Sequence, residues 1–155
     1  MASPSLPLGL DQFAQGVVQY IDTYPAQQHS RIFIPVAFGD LPPTLAMVDT
    51  GSPWCILSPE EAHALDLDLV GDFLEDTKNI LSGGEVKGKL YRVPVSLEAE
   101  EGAGITVMAT VFIPVLMPYQ EWHYPNFLGL SGFLEKTRFA VDPENNLFYF
   151  GAIAS

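Results

Sequence analysis

Apolar residues fall into short runs along this chain, and the spacing inside those runs changes near residue 25. Between Leu10 and Tyr24 they recur at Leu10, Phe13, Val17, Ile21 and Tyr24. Intervals of three and four predict one amphipathic helix, weakened by Gly16 and by β-branched residues. Residues 1–9 read as a flexible lead-in to it. After Pro25 the pattern is that of strands. Residues 31–38 (Arg-Ile-Phe-Ile-Pro-Val-Ala-Phe) form one, closed by Gly39-Asp40 and Pro42-Pro43. Residues 44–48 return as the second arm of a hairpin, and residues 54–57 make a third, short strand. Ser58-Pro59-Glu60-Glu61 then predicts a helix start, with Ser58 as N-cap, Pro59 at the first position and Glu61 completing a capping box. That helix stops by about Leu69.

Residues 80–88 (Ile-Leu-Ser-Gly-Gly-Glu-Val-Lys-Gly) predict a glycine-rich reversal between two strands. Beyond it Lys89 to Leu97 alternates through Leu90, (Tyr91), Val93, Val95 and Leu97, a two-residue repeat from Tyr91 onward, followed by an acidic turn over residues 98–104. Residues 105–116 read as another strand, with Pro114 at its edge or end. An aromatic loop (Tyr119, Trp122, Tyr124) leads to Phe127-Leu128-Gly129 and a short helix candidate over residues 132–136. The chain closes with a hairpin, residues 138–141 and 147–150, around a polar turn that contains Asp142. No internal repeat is found.

Composition narrows the class. The 155 residues make one compact domain, long enough to bury roughly two thirds of the unfolded surface without disulfides. Thirteen prolines and thirteen glycines favour many short elements over long helices. A net charge of −12 with only seven basic residues argues against nucleic acid as a partner. Every apolar run is too short or interrupted for a membrane span, and the N-terminus lacks the basic and apolar regions of a signal peptide, so the cytoplasm is the expected compartment. His29, His63 and His123 are far apart and Cys55 is the lone cysteine. No metal site, cofactor or disulfide is therefore expected, and Cys55 reads as a buried, inert thiol. Glu60 and Glu61 are cap and dipole residues before they are catalytic candidates.

One acid stands out. Asp49 follows Leu45-Ala46-Met47-Val48 and is followed, after Thr50, Gly51, Ser52 and Pro53, by Trp54-Cys55-Ile56-Leu57. Core-forming neighbours on both sides predict a desolvated carboxyl group, whose pKa rises unless partners compensate. A surface β-turn explains the same residues, since all five from Asp49 to Pro53 are turn formers.

Three separated signals place the chain beside a known family. Apolar-Asp49-Thr50-Gly51-Ser52, the glycine hairpin at residues 80–88, and Phe127-Leu128-Gly129 before a short helix and final strands resemble the retropepsin-like aspartic proteases, especially bacterial members. The resemblance covers roughly residues 30–151. It implies a single-lobed, all-β closed barrel or sandwich with short helices over residues 26–155, preceded by a part-helical N-terminal extension, residues 1–25. Leu130 and Ser131 depart from the pattern, because relatives often carry Arg or another polar residue and then Asp or Asn there.

What the resemblance implies chemically is an aspartic endopeptidase. Asp49 would be the catalytic acid, with Thr50, Gly51 and Ser52 supporting it. Thr50 would bond across a subunit interface, Gly51 would allow close backbone approach, and Ser52 would hydrogen-bond the outer carboxylate oxygen. Ser82, Gly83 and Gly84 would form the flap over an extended peptide substrate, with Ile80, Leu81 and Trp54 as candidate pocket walls. The motif occurs once, since Asp22-Thr23-Tyr24 and Asp76-Thr77-Lys78 lack the glycine. Two carboxyls therefore require a homodimer. The alternatives are a catalytically silent binding or assembly module of the same fold, and an unrelated β-barrel that holds a small ligand.

Overall fold

The computed structural model describes residues 14–24, 29–67, 71–81 and 84–153. Among them are eleven strands and one short α-helix. The strands are β1 (Ala14–Val17), β2 (Gln19–Tyr24), β3 (His29–Phe38), β4 (Thr44–Val48), β5 (Cys55–Ile56), β6 (Asp72–Leu81), β7 (Gly84–Leu97), β8 (Ile105–Pro114), β9 (Asn126–Leu128), β10 (Thr137–Asp142) and β11 (Leu147–Ala152). The helix, α1, spans Pro59–Ala64, and a single 3-10 turn covers Leu134–Lys136.

Eight strands form one mixed sheet in the order β2-β3-β4-β9-β5-β8-β7-β6, and a further pairing of β3 with β7 bends it into a ring. Six strands, from β3 round to β7, thus enclose a barrel. Closure leaves the six ring strands paired on both sides, with β2 and β6 as the edge strands of the sheet. Two of its contacts are parallel, β4 with β9 and β5 with β8, and the others are antiparallel. A second, three-stranded sheet (β1-β11-β10) packs Phe148 and Phe150 into the same core.

The alternating sequence of β7 explains its place. Val86, Leu90, Val93, Val95 and Leu97 are buried, while Glu85, Lys87, Lys89 and Arg92 are exposed. Successive residues of a strand face opposite sides, so the even-numbered Val86 and Leu90 and the odd-numbered Val93, Val95 and Leu97 enter two different cores. Val93, Val95 and Leu97 join the barrel core with Ile34, Val36, Phe38, Val111 and Leu128. Val86 and Leu90 belong instead to a second cluster with Phe33, Met47, Ile56, Phe112 and Phe127. That second cluster matters because Met47 lies two residues before Asp49.

Two expectations need correction. Residues 14–24 are two strands and not a helix. β1 pairs with β11 and β2 with β3, and the backbone switches between the two sheets at Val18, whose amide bonds Asn146 O at 3.2 Å. Gly16 and the β-branched Val17, Val18 and Ile21 make a poor helix, and the ladders offer the same backbone groups better partners. The rest of the expected extension, residues 1–13 and 25, lies outside the described residues. The short helix candidate over residues 132–136 is only the 3-10 turn.

The helix start at Ser58 forms with one change. Ser58 Oγ accepts the Glu61 amide at 3.3 Å, as a cap should. In a capping box the Glu61 carboxylate would take the Ser58 amide. Here that amide donates to Asn126 Oδ1 at 2.9 Å, and Glu61 accepts from Asn126 Nδ2 and from Ser58 Oγ. Asn126, buried on β9, therefore locks α1 to the barrel. Removing the cap oxygen with Ser58→Ala is expected to cost about 1 kcal/mol of stability. A chemical-denaturation midpoint checks this, and an unchanged midpoint would assign the hold entirely to Asn126.

Candidate active site

Asp49 is delivered by the end of β4. Ala46 and Met47 are buried in the sheet, Val48 pairs with Leu128 of β9, and the Asp49 amide still bonds Leu128 O at 3.0 Å. Its side chain emerges where the ladder stops. The following turn is closed by the Ser52 amide on Asp49 O at 3.1 Å. Asp49 is half-buried, and Thr50 and Gly51 are exposed. The expected deep desolvation is thus absent in the single chain, because the strand ends before the carboxylate reaches the core.

The carboxylate is held locally. Gly51 N–H donates to Asp49 Oδ1 at 2.9 Å. Ser52 does not fill the supporting role expected of it: its hydroxyl donates to Trp54 O at 2.8 Å and so braces the loop and not the acid. The Asp49–Pro53 stretch is a turn, and within it the Asp49 carboxylate is held by the Gly51 amide.

The second signature meets the first here. Leu130 N–H donates to Ser52 O at 2.9 Å and Ser131 N–H to Pro53 O at 2.7 Å. Gly129 is what lets the two loops touch. A β-carbon added to it would stand 2.1 Å from Trp54 O and 2.9 Å from Ser52 O. Leu130 and Ser131 make this junction through their backbone amides, so it does not depend on their side chains.

Cys55 sits behind this junction, fully enclosed. Burial pushes its thiol from an ordinary 9.0 up to about 12, against a smaller opposing effect of a hydrogen bond with the Gly129 backbone. The folded state therefore holds the proton through a range where the unfolded chain has lost it. That stabilisation is whole below about pH 9 and fades as pH climbs toward 12. We expect the native thiol to resist a disulfide reagent at pH 8 and to react once the chain is unfolded. Prompt reaction of the folded protein would contradict its enclosure.

The β6–β7 hairpin shares the second cluster with Met47 and Trp54, and its arms pair from Asp72↔Arg92 to Leu81↔Gly84. Ser82 and Gly83, expected at its tip, lie outside the described residues. Gly84 has φ +115° with open space around it, a conformation that side-chain-bearing residues avoid. The inner face of the hairpin rests on the second cluster, against which Leu81, Trp54, Trp122 and Tyr124 also pack. Trp54 stacks on Phe112 with ring centroids 6.0 Å apart. Ile80, proposed from sequence as a pocket wall, instead points outward and is 81% exposed. Sequence reasoning gave no role to Asn126, Asn79 or Trp122; the fold buries the two asparagines and encloses the indole nitrogen of the half-buried Trp122. Among the described residues, no three His, Cys, Asp or Glu side chains gather to hold a metal ion.

No protein-family model matches the sequence, and no curated protein matches it either. Solved structures do. The chain is similar to a retropepsin-like aspartic protease from Rickettsia conorii, with a TM-score of 0.51 and 17% identity over 92% of this chain and 98% of that one. The fold is therefore retropepsin-like. At that identity the likeness speaks for architecture alone.

Proposed function

We propose that this protein is an aspartic endopeptidase that works as a homodimer, with one Asp49 from each subunit. The observation that carries the reading is the placement of a single acid. Asp49 is oriented by Gly51 N–H on an open face of the junction between the motif loop and Gly129. A second copy applied about a two-fold axis through that face brings the same acid to the same place. The retropepsin-like fold supports the same arrangement.

Two carboxyls about 3 Å apart share one proton, because both cannot ionise at that separation. The ionised partner takes a proton from a water lying between them. The protonated partner polarises the scissile carbonyl, and that water attacks the carbonyl carbon. The amide nitrogen then leaves with a proton returned by the dyad. Substrate would lie extended between the junction and the β6–β7 hairpin, bonding through its main chain. Closure of that hairpin would exclude bulk water.

Exposed Thr50 fits a bond to the opposite loop. Two such bonds per dimer, each worth about 1 kcal/mol, predict that Thr50→Val weakens dimerisation by roughly thirtyfold. Sedimentation over a concentration series measures this, and an unchanged dissociation constant would remove Thr50 from the interface.

Subunit mixing tests the function itself. Asp49→Asn chains, first shown by sedimentation to dimerise, are mixed in ninefold excess with native chains. Only about one native chain in ten then meets another, so activity per native chain should fall to about a tenth. Full activity would mean that each chain works alone. Peptide binding with no turnover by the native protein would favour the silent binding module.

A further inference from the structure

Two buried N–H donors without acceptors border the apolar floor beneath the hairpin. Asn79 lies on β6 opposite Val86, and Val86 belongs to the second cluster. Paired residues in an antiparallel ladder project to one face, so Asn79 turns toward that cluster, and it is only 8% exposed. Its Oδ1 accepts the Ile80 amide at 2.9 Å. That bond sets which way the carboxamide faces and leaves Nδ2 enclosed with no partner. Trp122 packs against the same cluster from the loop after β8, held edge-on by Tyr124 with centroids 5.0 Å apart. Its Nε1 is likewise enclosed and unpartnered.

A buried donor with no acceptor is costly, and leucine or phenylalanine would fill the same space without that cost. Packing alone therefore does not explain two such donors on one cluster. Both offer a hydrogen and neither accepts one, so the missing group is an oxygen. An apolar surrounding disfavours a carboxylate, which would have to shed its water, over a neutral amide carbonyl. An amide oxygen has two lone pairs and can accept from either donor.

We propose that Asn79 and Trp122 line a specificity subsite for a peptide side chain bearing an amide carbonyl, glutamine before asparagine. The inference takes from the peptidase reading only the idea that an extended peptide occupies the cleft under the hairpin.

Binding to the full-length Asp49→Asn chain tests it without turnover. Eight-residue peptides with an apolar central pair carry glutamine, or its near-isostere methionine, at each position in turn, and calorimetry gives the dissociation constants. At one position glutamine should bind at least about tenfold more tightly. Adding Asn79→Leu or Trp122→Phe should bring that ratio toward one. The subsite is overturned by ratios near one throughout, by no peptide binding, or by a ratio that survives both substitutions. Cleavage assays of the native chain separate the two claims. Turnover without glutamine preference removes the subsite and leaves the peptidase, whereas glutamine-selective binding without turnover removes the peptidase and leaves the subsite.

Discussion

If the proposed peptidase reading holds, Asp49→Asn is expected to lower kcat for peptide hydrolysis by at least about a thousandfold while the fold is kept. The substitution is nearly isosteric. An asparagine oxygen can still accept Gly51 N–H, the contact that orients Asp49 in the chain. What the carboxamide cannot do is take a proton from water or hold one for the carbonyl. A homodimer also carries the change twice, so no second acid remains to substitute. Mass spectrometry of a peptide library, from acid to neutral pH, reads the loss. Circular dichroism and thermal melting confirm that the variant is folded. Hydrolysis that continues unchanged in the variant would refute the role of Asp49.

Gly129→Ala should be a strongly disruptive single-methyl change. The new carbon would stand 2.1 Å from Trp54 O and 2.3 Å from Trp54 C, both backbone atoms that no rotamer change can move aside. Either the motif loop or the loop after β9 must shift, and the Leu130 and Ser131 amide bonds to Ser52 and Pro53 stretch with it. Overpacking of this kind costs about 3 kcal/mol or more. In a domain of this size that is a fall in melting temperature of roughly 6–12 °C. Hydrolysis should drop with it, because the displaced loop is the one that presents Asp49. Gly51→Ala offers a milder comparison, since its nearest contact would be Asp49 Oδ1 at 3.2 Å. A Gly129→Ala variant as stable as the parent would show that the two loops do not meet as described.

Much of the barrel could be read from local pattern. The two-residue repeat of β7, the hairpin that ends in Asp49, and the Ser58 cap each depend on neighbours close in sequence, and each forms. The parallel pairing of β4 with β9 has no local signal, because its partners come from distant parts of the chain. Only the likeness of Phe127-Leu128-Gly129 to a family pattern pointed there. Residues 14–24 misled for a related reason. Their apolar spacing fits a helix, but β11 and β3 supply ladder partners that no local window contains. Ser52 shows a finer limit. Its position after Asp-Thr-Gly suggested a bond to the carboxylate, yet the turn directs its hydroxyl to Trp54 O. Asn79 and Trp122 were silent in sequence because an unpaired donor becomes visible only once the fold has enclosed it.

The pairing of two Asp49 side chains across a two-fold axis is tested most directly by a crystal structure of the assembled protein with a bound transition-state mimic. The expected result is two Asp49 carboxyls about 3 Å apart, both in contact with the hydroxyl of the mimic. Assemblies in which the Asp49 carboxyls remain well separated, with the mimic bound elsewhere, would contradict it.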